Sequence, residues 1–367
     1  MADFSRVLAG PLCTQMLAEA GARVIKVEEP GRGDETRRWG PPFVEGISAY
    51  FLSVNRGKES ISVDLKSERG AEIARRLVAR ADVVVDNFLP AQRRVLLPEI
   101  PARAIHCTIS GFDGDVPEAE TPGYDLLAQA ESGLMAITGE PDGDPMKAGV
   151  ALSDVLTAHY AFGAIAAALV RRQRSGEGAR LEISLFGATV ASLINIAQGV
   201  LLTRRDAARY GNAHPSIVPY QLFHASDRPF VLGVGTDRHY QLLCARVLRR
   251  PDLAADPRFS TNARRVRHRT ALIRALAREF RARTAADWVR RCRRAAVPAA
   301  LVRGVREALG TPSGRVLRAT VNHPVIGEYE AVRNPVRIDG ARRDPGCAPP
   351  APGEQTSTIL EELGLRE

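Results

Sequence analysis

The sequence predicts an α/β fold: a doubly wound, Rossmann-like parallel sheet in a large first domain, then a smaller α+β domain. Three observations predict it. Four short β-branched runs, RVIKV (23–27), SISVD (60–64), DVVVD (82–86) and AIHCTI (104–109), recur through the first third of the chain. Helical patterns lie between the later pairs, and strand–helix–strand alternation closes into a parallel sheet with helices on both faces. Polar, glycine-bearing segments (EEPGRGDETRR, LKSERG, NFLP, SGFDGD) follow the strand ends, where sheets of this kind bind ligands.

The elements follow in order. Residues 8–22, LAGPLCTQMLAEAGA, read as a helix opened by glycine and proline. In 67–81 the residues Ile73, Ala74, Leu77, Val78 and Ala81 form one helical face behind Ser67, a good N-cap. GVALSDVLTAHYAFGAIAAAL (149–169) is small or apolar almost all round after Asp154, which predicts a buried helix. RSGEGARLEISLF (174–186) gives a turn, a strand and a second apolar helix to about Leu202. Loop composition over 204–220 reads as a linker, and PFVLGVG (229–235) opens the second domain, with helices near 237–248, 269–281 and 284–294. The proline-rich tail ends in a short helix at 355–363 that returns to the first domain. The expected division is 1–200 for the large domain, 201–225 for a linker, 226–310 for the small domain, and 311–367 for a linker and the C-terminal return.

Hydrophobic residues make up 45% and charged residues 25% of the 367-residue chain, as in ordinary globular proteins. No apolar run reads as a bilayer span, and MADFSRVLAGPLC lacks the basic start and apolar core of a signal peptide. The expectation is a cytoplasmic protein without a membrane partner. Five scattered cysteines without a CxxC pair, and histidines without HxxxH spacing, predict neither a disulfide framework nor a metal site. The net charge of +9 comes almost wholly from arginine, in stretches such as RRVRHR (264–269) and RRCRR (290–294). These read as solvated helix faces, and no motif or aromatic interleaving points to nucleic acid. Neither GxGxxG nor a P-loop follows a strand.

Asp154 permits two readings. It can cap its own helix. Alternatively, Ser153 is the cap and the Asp154 side chain is free; held ionised at the helix N-terminus, it could attack an activated acyl group while backbone N–H groups stabilise the oxyanion.

Several stretches together resemble the class III coenzyme A transferases, which include formyl-CoA and carnitine CoA-transferases. They are 6–28 (RVLAGPLCTQMLAEAGARVIKVE), NRGKESISVDLKS (55–67), ADVVVDNFLP (81–90), SGFDG (110–114), PGYDLLAQAESGLMAITGEPDG (122–143), GVALSDVLTAHYA (149–161), GNAHPSIVPY (211–220), DPRFSTNARRV (256–266) and PGEQTSTILEELG (352–364). The resemblance implies that Asp154 is the nucleophile, passing through an aspartyl anhydride and an aspartyl-CoA thioester. It implies an acyl-CoA thioester and a carboxylate as substrates, with no permanently bound cofactor. The family's CoA contacts map onto Leu8, Ala9, Val63, Lys66, Asn87, Phe88, Leu89, Tyr124 and Asp125, and an acceptor-side loop onto His214 and Ser216. Lys66 would meet a CoA phosphate. ADFS (2–5) matches only the end of the family's first strand. The family's architecture is an interlocked homodimer.

Two rival readings go with it. The family also holds α-methylacyl-CoA racemases, whose catalytic His position is Tyr124 here and whose glutamate near GVGTD is replaced by Thr236 or Asp237. A catalytically idle CoA-binding protein is the other. GNAHPSIVPY lacks the glycine run of formyl-CoA transferases and looks like the branch that moves CoA between succinate and other dicarboxylates.

Overall fold

The computed structural model describes residues 1–344 and 346–365. The chain forms two compact units: Met1–Met135 with Lys147–Ala207 and Thr311–Glu367, and Ala136–Met146 with Ala208–Gly310. Three stretches depart from the expected division, and one of them, 201–207, read as linker, falls in the first unit. Residues 136–146 fall in the second unit. So do 208–225, read as linker, because Tyr220–His224 pairs in register with Pro229–Gly233.

The first unit is built on a six-stranded sheet: β1 (Ala2–Asp3), β2 (Val24–Glu28), β3 (Lys58–Ser62), β4 (Val83–Asp86), β5 (Ile105–Ser110) and β6 (Ala179–Ser184). Every pairing is parallel, and the spatial order is 3-2-1-4-5-6. β1 is two residues long yet central, with Ala2 opposite both Ile25 and Val84.

Both faces are covered, as the alternation requires. On one, α1 (Ala9–Glu19) supplies Cys13 and Leu17, and a 24-residue helix, Leu152–Ser175, supplies Ala158, Ala161 and Ile165 against Val85, Ile105 and Cys107. On the other, α2 (Glu68–Arg80) buries Ile73, Ala74, Leu77 and Val78 against Ile61 and Val84. Ser67 caps α2, its hydroxyl accepting from the Gly70 N–H at 2.9 Å. The C-terminal helix Thr356–Glu362 packs Ile359 and Leu360 into the same core.

The Leu152–Ser175 helix is not buried all round. Tyr160 and Val170 are 48% and 54% exposed, and the sealed face runs through Ser153, Thr157, Ala158, Ala161, Ile165 and Ala168. Periodicity reads an apolar face but not what lies on it. Among the described residues this is also the one helix long and apolar enough to cross a membrane, a pattern that a core helix shares.

The second unit has a three-stranded antiparallel sheet, Tyr220–His224, Pro229–Gly233 and Ala299–Leu301, packed against helices that include Arg269–Phe280 and Ala285–Arg294. Phe223, Phe230, Phe280 and Trp288 form its aromatic core, and the Trp288 indole N–H donates to the Phe280 carbonyl at 2.7 Å. Arg265, from the basic RRVRHR stretch, is fully buried, where it donates to the carbonyls of Val218 and Phe259 and pairs with Asp237 at 2.7 Å. Charge pattern read it as a solvated face; its guanidinium instead pins three segments of this unit.

Candidate active site

A strand order of 3-2-1-4-5-6 reverses direction between β1 and β4, and such a sheet opens a crevice beyond the carboxyl ends of those strands. Here the loop after β1 (Ser5–Leu8) and the turn after β4 (Asn87–Leu89) face each other across it. The Asn87 side chain bridges them, accepting from the Arg6 N–H at 3.0 Å and donating to the Arg6 carbonyl at 2.9 Å. Asp86 fixes the turn from below: its carboxylate accepts from the Phe88 N–H and Arg93 and is bonded to the His106 ring at 2.7 Å.

The crevice has two connected parts. The inner one, about 580 Å³, is lined by Val7, Leu8, Ala9, Asn87, Tyr124 and Asp154. The outer one, about 1440 Å³, shares Asn87, Phe88, Leu89 and Tyr124 and extends to Val63 and Lys66. A nucleophile candidate at one end and a lysine at the other suit a long ligand with a reactive tip and an anionic tail.

Tyr124 reaches this wall because two glycines let the backbone in. A Cβ on Gly111 would stand 2.5 Å from the Gly123 Cα, so the SGFDG and PGYD segments touch only as glycines. Tyr124 is 58% exposed, so its ring is open to the crevice rather than packed in the core.

Asp154 sits in the first turn of its helix, which we call α3 (Leu152–Ser175). The helix is capped neither by Asp154 nor by Ser153, whose hydroxyl accepts from Thr189. Asp125 does it from a distance, its Oδ1 accepting from the N–H groups of Ser153 at 2.8 Å and Asp154 at 3.4 Å, while its Oδ2 accepts from Gln129 at 2.7 Å. Asp125, mapped as a CoA contact, is thus engaged through both oxygens by the start of this helix and by Gln129. Among the described residues the Asp154 carboxyl finds no hydrogen-bond partner of its own. Burial, and then the charge of Asp125, push it up to about 7. The expectation of a carboxylate kept ionised by its helix is therefore corrected: the cap that serves the helix works against the ion.

The family follows from comparison. The family model described as CoA-transferase family III matches residues 1–356. The chain belongs to this family. Among similar proteins, the mouse succinyl-CoA:glutarate CoA-transferase is 38% identical over 98% of this chain and 84% of its own. An acetyl-CoA:oxalate CoA-transferase from Acetobacter aceti is 38% identical over 100% and 95%. A crystal structure of a CAIB/BAIF family protein from Brucella suis superposes with a TM-score of 0.86 at 37% identity, covering 99% of this chain and 97% of that one. The protein is thus a class III CoA-transferase.

For the transferase, the sequence-marked residues separate into groups. Leu8, Ala9, Asn87, Phe88, Leu89, Tyr124 and Asp154 gather at the inner crevice and its rim, with Val63 and Lys66 along the outer part. His214 and Ser216 belong to the second unit, where the Ser216 N–H donates to His214 Nδ1 at 3.0 Å. Arg6, Val7 and Arg32 also line the crevice without having been singled out. EEPGRGDETRR carried the polarity signal for Arg32; nothing in the letters marks Val7.

Proposed function

We propose that this transferase moves CoA from an acyl-CoA donor to a carboxylic acid through covalent intermediates on Asp154. The Asp154 carboxylate attacks the donor thioester carbon, forming a mixed anhydride and expelling CoA thiolate. The thiolate then attacks the aspartyl carbonyl, releasing the donor acid and leaving an aspartyl-CoA thioester. An acceptor carboxylate attacks that thioester, again expelling the thiolate, which attacks the acceptor acyl group and regenerates Asp154. Each step exchanges one acyl–oxygen or acyl–sulfur bond for another, so no oxidant or external base enters.

The observation that carries this reading is the unpartnered Asp154 carboxyl facing the inner crevice beside the opening of α1. A carboxyl with no protein partner is available as a nucleophile, and backbone N–H groups at Leu8 and Ala9 are the candidates to stabilise the oxyanion. Lys66 takes a CoA phosphate in this scheme. For the acceptor, His214 is the residue of choice: accepting at Nδ1 puts its proton on Nε2, which can donate to a second carboxylate. Relatives named for glutarate and for oxalate point to dicarboxylic acids as the acceptor class. A cytoplasmic setting and a homodimer complete the proposal, the latter supported by exposed Ile194, Leu201 and Leu202 on Ile194–Thr203.

The test is incubation with succinyl-CoA and a panel of carboxylates, read by mass spectrometry. Transfer to a dicarboxylate, abolished in Asp154→Ala while CoA still binds, is the expected result. Turnover surviving in Asp154→Ala by more than about one part in a thousand would sink the nucleophile. Rapid deuterium uptake at the α-carbon of a 2-methylacyl-CoA would favour the racemase instead.

A further inference from the structure

Val7 has a backbone φ of 72°, the left-handed region that a β-branched residue avoids and glycine enters freely. It lies in the loop that lines both parts of the crevice. Such a residue persists only where its surroundings over-determine it, and here they do. The Val7 N–H donates to Asp34 Oδ2 at 3.3 Å. The preceding residue is gripped at both its N–H and its carbonyl by the Asn87 amide. One residue earlier, the Ser5 carbonyl accepts from Lys26 Nζ at 2.8 Å.

Asp34 is the hub of this grip. Its Oδ2 also pairs with Lys26 at 2.8 Å, both side chains being almost wholly sealed from solvent. Its Oδ1 accepts from the N–H and hydroxyl of Thr36 at 2.9 and 2.7 Å, and its own N–H donates to Glu28. Although burial alone would raise it, the Lys26 charge and these hydrogen bonds hold its carboxyl down at about 2, so it is ionised throughout the working range. A carboxylate with this many fixed donors does not move, and the Val7 N–H is held to an immobile point. Gly10 tightens the same corner, since a Cβ there would meet Ser5 Oγ at 2.2 Å.

We propose that Asp34 is a positioning residue of the active site: through the Val7 N–H it holds the loop after β1 in a left-handed turn that aims the opening of α1 into the inner crevice beside Asp154. The consequence of releasing it is specific. Without Asp34 the Val7 backbone relaxes toward negative φ, and the peptides of residues 7–9 rotate away from the position they share with Asp154. Lys66, at the far end of the outer crevice, is not part of this loop, so the tail of CoA is still gripped while its thioester is presented badly. This inference rests on the transferase reading for its functional half; the conformational half stands alone.

The test is a double-mutant cycle of Asp34→Asn and Val7→Gly, because glycine adopts the left-handed turn without being held. In the transfer assay, Asp34→Asn should lower kcat by at least about tenfold with Val7 present and by less than about threefold in the Val7→Gly background, with KM for the acyl-CoA changing little. Equal losses in both backgrounds, or a loss confined to KM, would overturn the proposal. Melting temperatures of the same four proteins test the conformational half without catalysis: Asp34→Asn should cost more stability when Val7 is present than in the Val7→Gly background, and additivity refutes it. If Lys26, left without its counter-charge, prevents Asp34→Asn from folding, Lys26→Met with Asp34→Asn removes both charges together and carries the same cycle. A wild-type protein that transfers CoA to no carboxylate defeats the transferase reading, and the melting cycle then decides the positioning claim.

Discussion

Asp125 accepts the backbone N–H of Asp154 at 3.4 Å while its charge opposes ionisation of the Asp154 side chain. One carboxylate thereby fixes where the other stands and when it is charged. The arrangement favours reactivity: a carboxylate that ionises reluctantly is more basic and less solvated than a surface aspartate.

A pH profile follows. As the proposed nucleophile, Asp154 would attack only as the anion, so transfer should fall on the acid side with an apparent pKa near 7, to which burial and the Asp125 charge push the carboxyl. Asp125→Asn keeps an oxygen to cap the helix but removes the charge, so its acid limb should move to lower pH. Rate–pH curves of the two proteins check this, and an unmoved limb would show that Asp125 acts through the cap alone.

Stability should report the same carboxyl with opposite benefit. A carboxyl whose pKa is raised on folding, here from 3.8 to about 7, favours the folded state when protonated. That advantage is lost as pH climbs through the interval, so the anion destabilises the protein above pH 7. Asp154→Asn should therefore be more stable than wild type by about 1–2 kcal/mol at pH 8, after discounting for partial solvation, with the difference gone below about pH 4. Urea melts at the two pH values provide the comparison.

Lys66 should matter to CoA and the arginines of the second unit should not. Lys66→Ala is expected to weaken CoA binding by about 1–2 kcal/mol, the scale of one charge-assisted contact. Exposed Arg267, by contrast, should be replaceable by alanine with less than about a twofold change, because surface charges are screened beyond roughly 10 Å. Calorimetric titration of both variants would expose the reverse pattern, which would move CoA to the other unit.

Arg265 is an unsuitable member of such a control set. Replacing it by Met leaves the Val218 and Phe259 carbonyls without their donor inside the second unit. The expected cost is about 2–4 kcal/mol, seen as a lowered denaturation midpoint. A midpoint unchanged within error would mean that those carbonyls find other partners.

The exposed apolar residues bear on assembly. Leu201 and Leu202 are 67% and 75% exposed, and a second copy covering them would make the solution species a dimer. Light scattering should give twice the chain mass, and Leu201→Glu with Leu202→Glu should lower the thermal stability of that dimer. A monomeric wild type would end the dimer proposal.

The middle of the sheet was legible because Val24–Glu28 and Val83–Asp86 are buried throughout and so rich in Val and Ile, with helices between; Val83–Asp86 and Ile105–Ser110 lie where DVVVD and AIHCTI put them. The crevice was legible for the same reason, since strand order and strand ends are consequences of that alternation. What stayed hidden depended on distance. Asp125 caps a helix that begins 27 residues later, and local pattern offers Ser153 instead. The ionisation of Asp154 turned on burial and a neighbour's charge, neither of which spacing encodes. Val7 shows the limit most clearly, because its backbone is set by a carboxylate from another loop and a β-branched letter argues against the turn it makes.

The closing of β3 by the C-terminal segment has a consequence for biosynthesis. Ser60 donates its N–H to the Gln355 side chain, and its carbonyl and hydroxyl oxygens accept from the Gln355 and Gly353 N–H groups, partners that emerge 293 residues and more after it. At about 5–20 residues per second, a ribosome leaves that edge strand without its seal for roughly 15–60 seconds. Within that time the whole second unit and the later segments of the first are synthesised. The nascent chain carries an open parallel-sheet edge beside the apolar Ile61 and Leu77, the kind of surface that other chains add to. Nascent-chain chaperones should engage this transferase until its last helix is made, and a stop codon placed just before Gly353 should yield inclusion bodies.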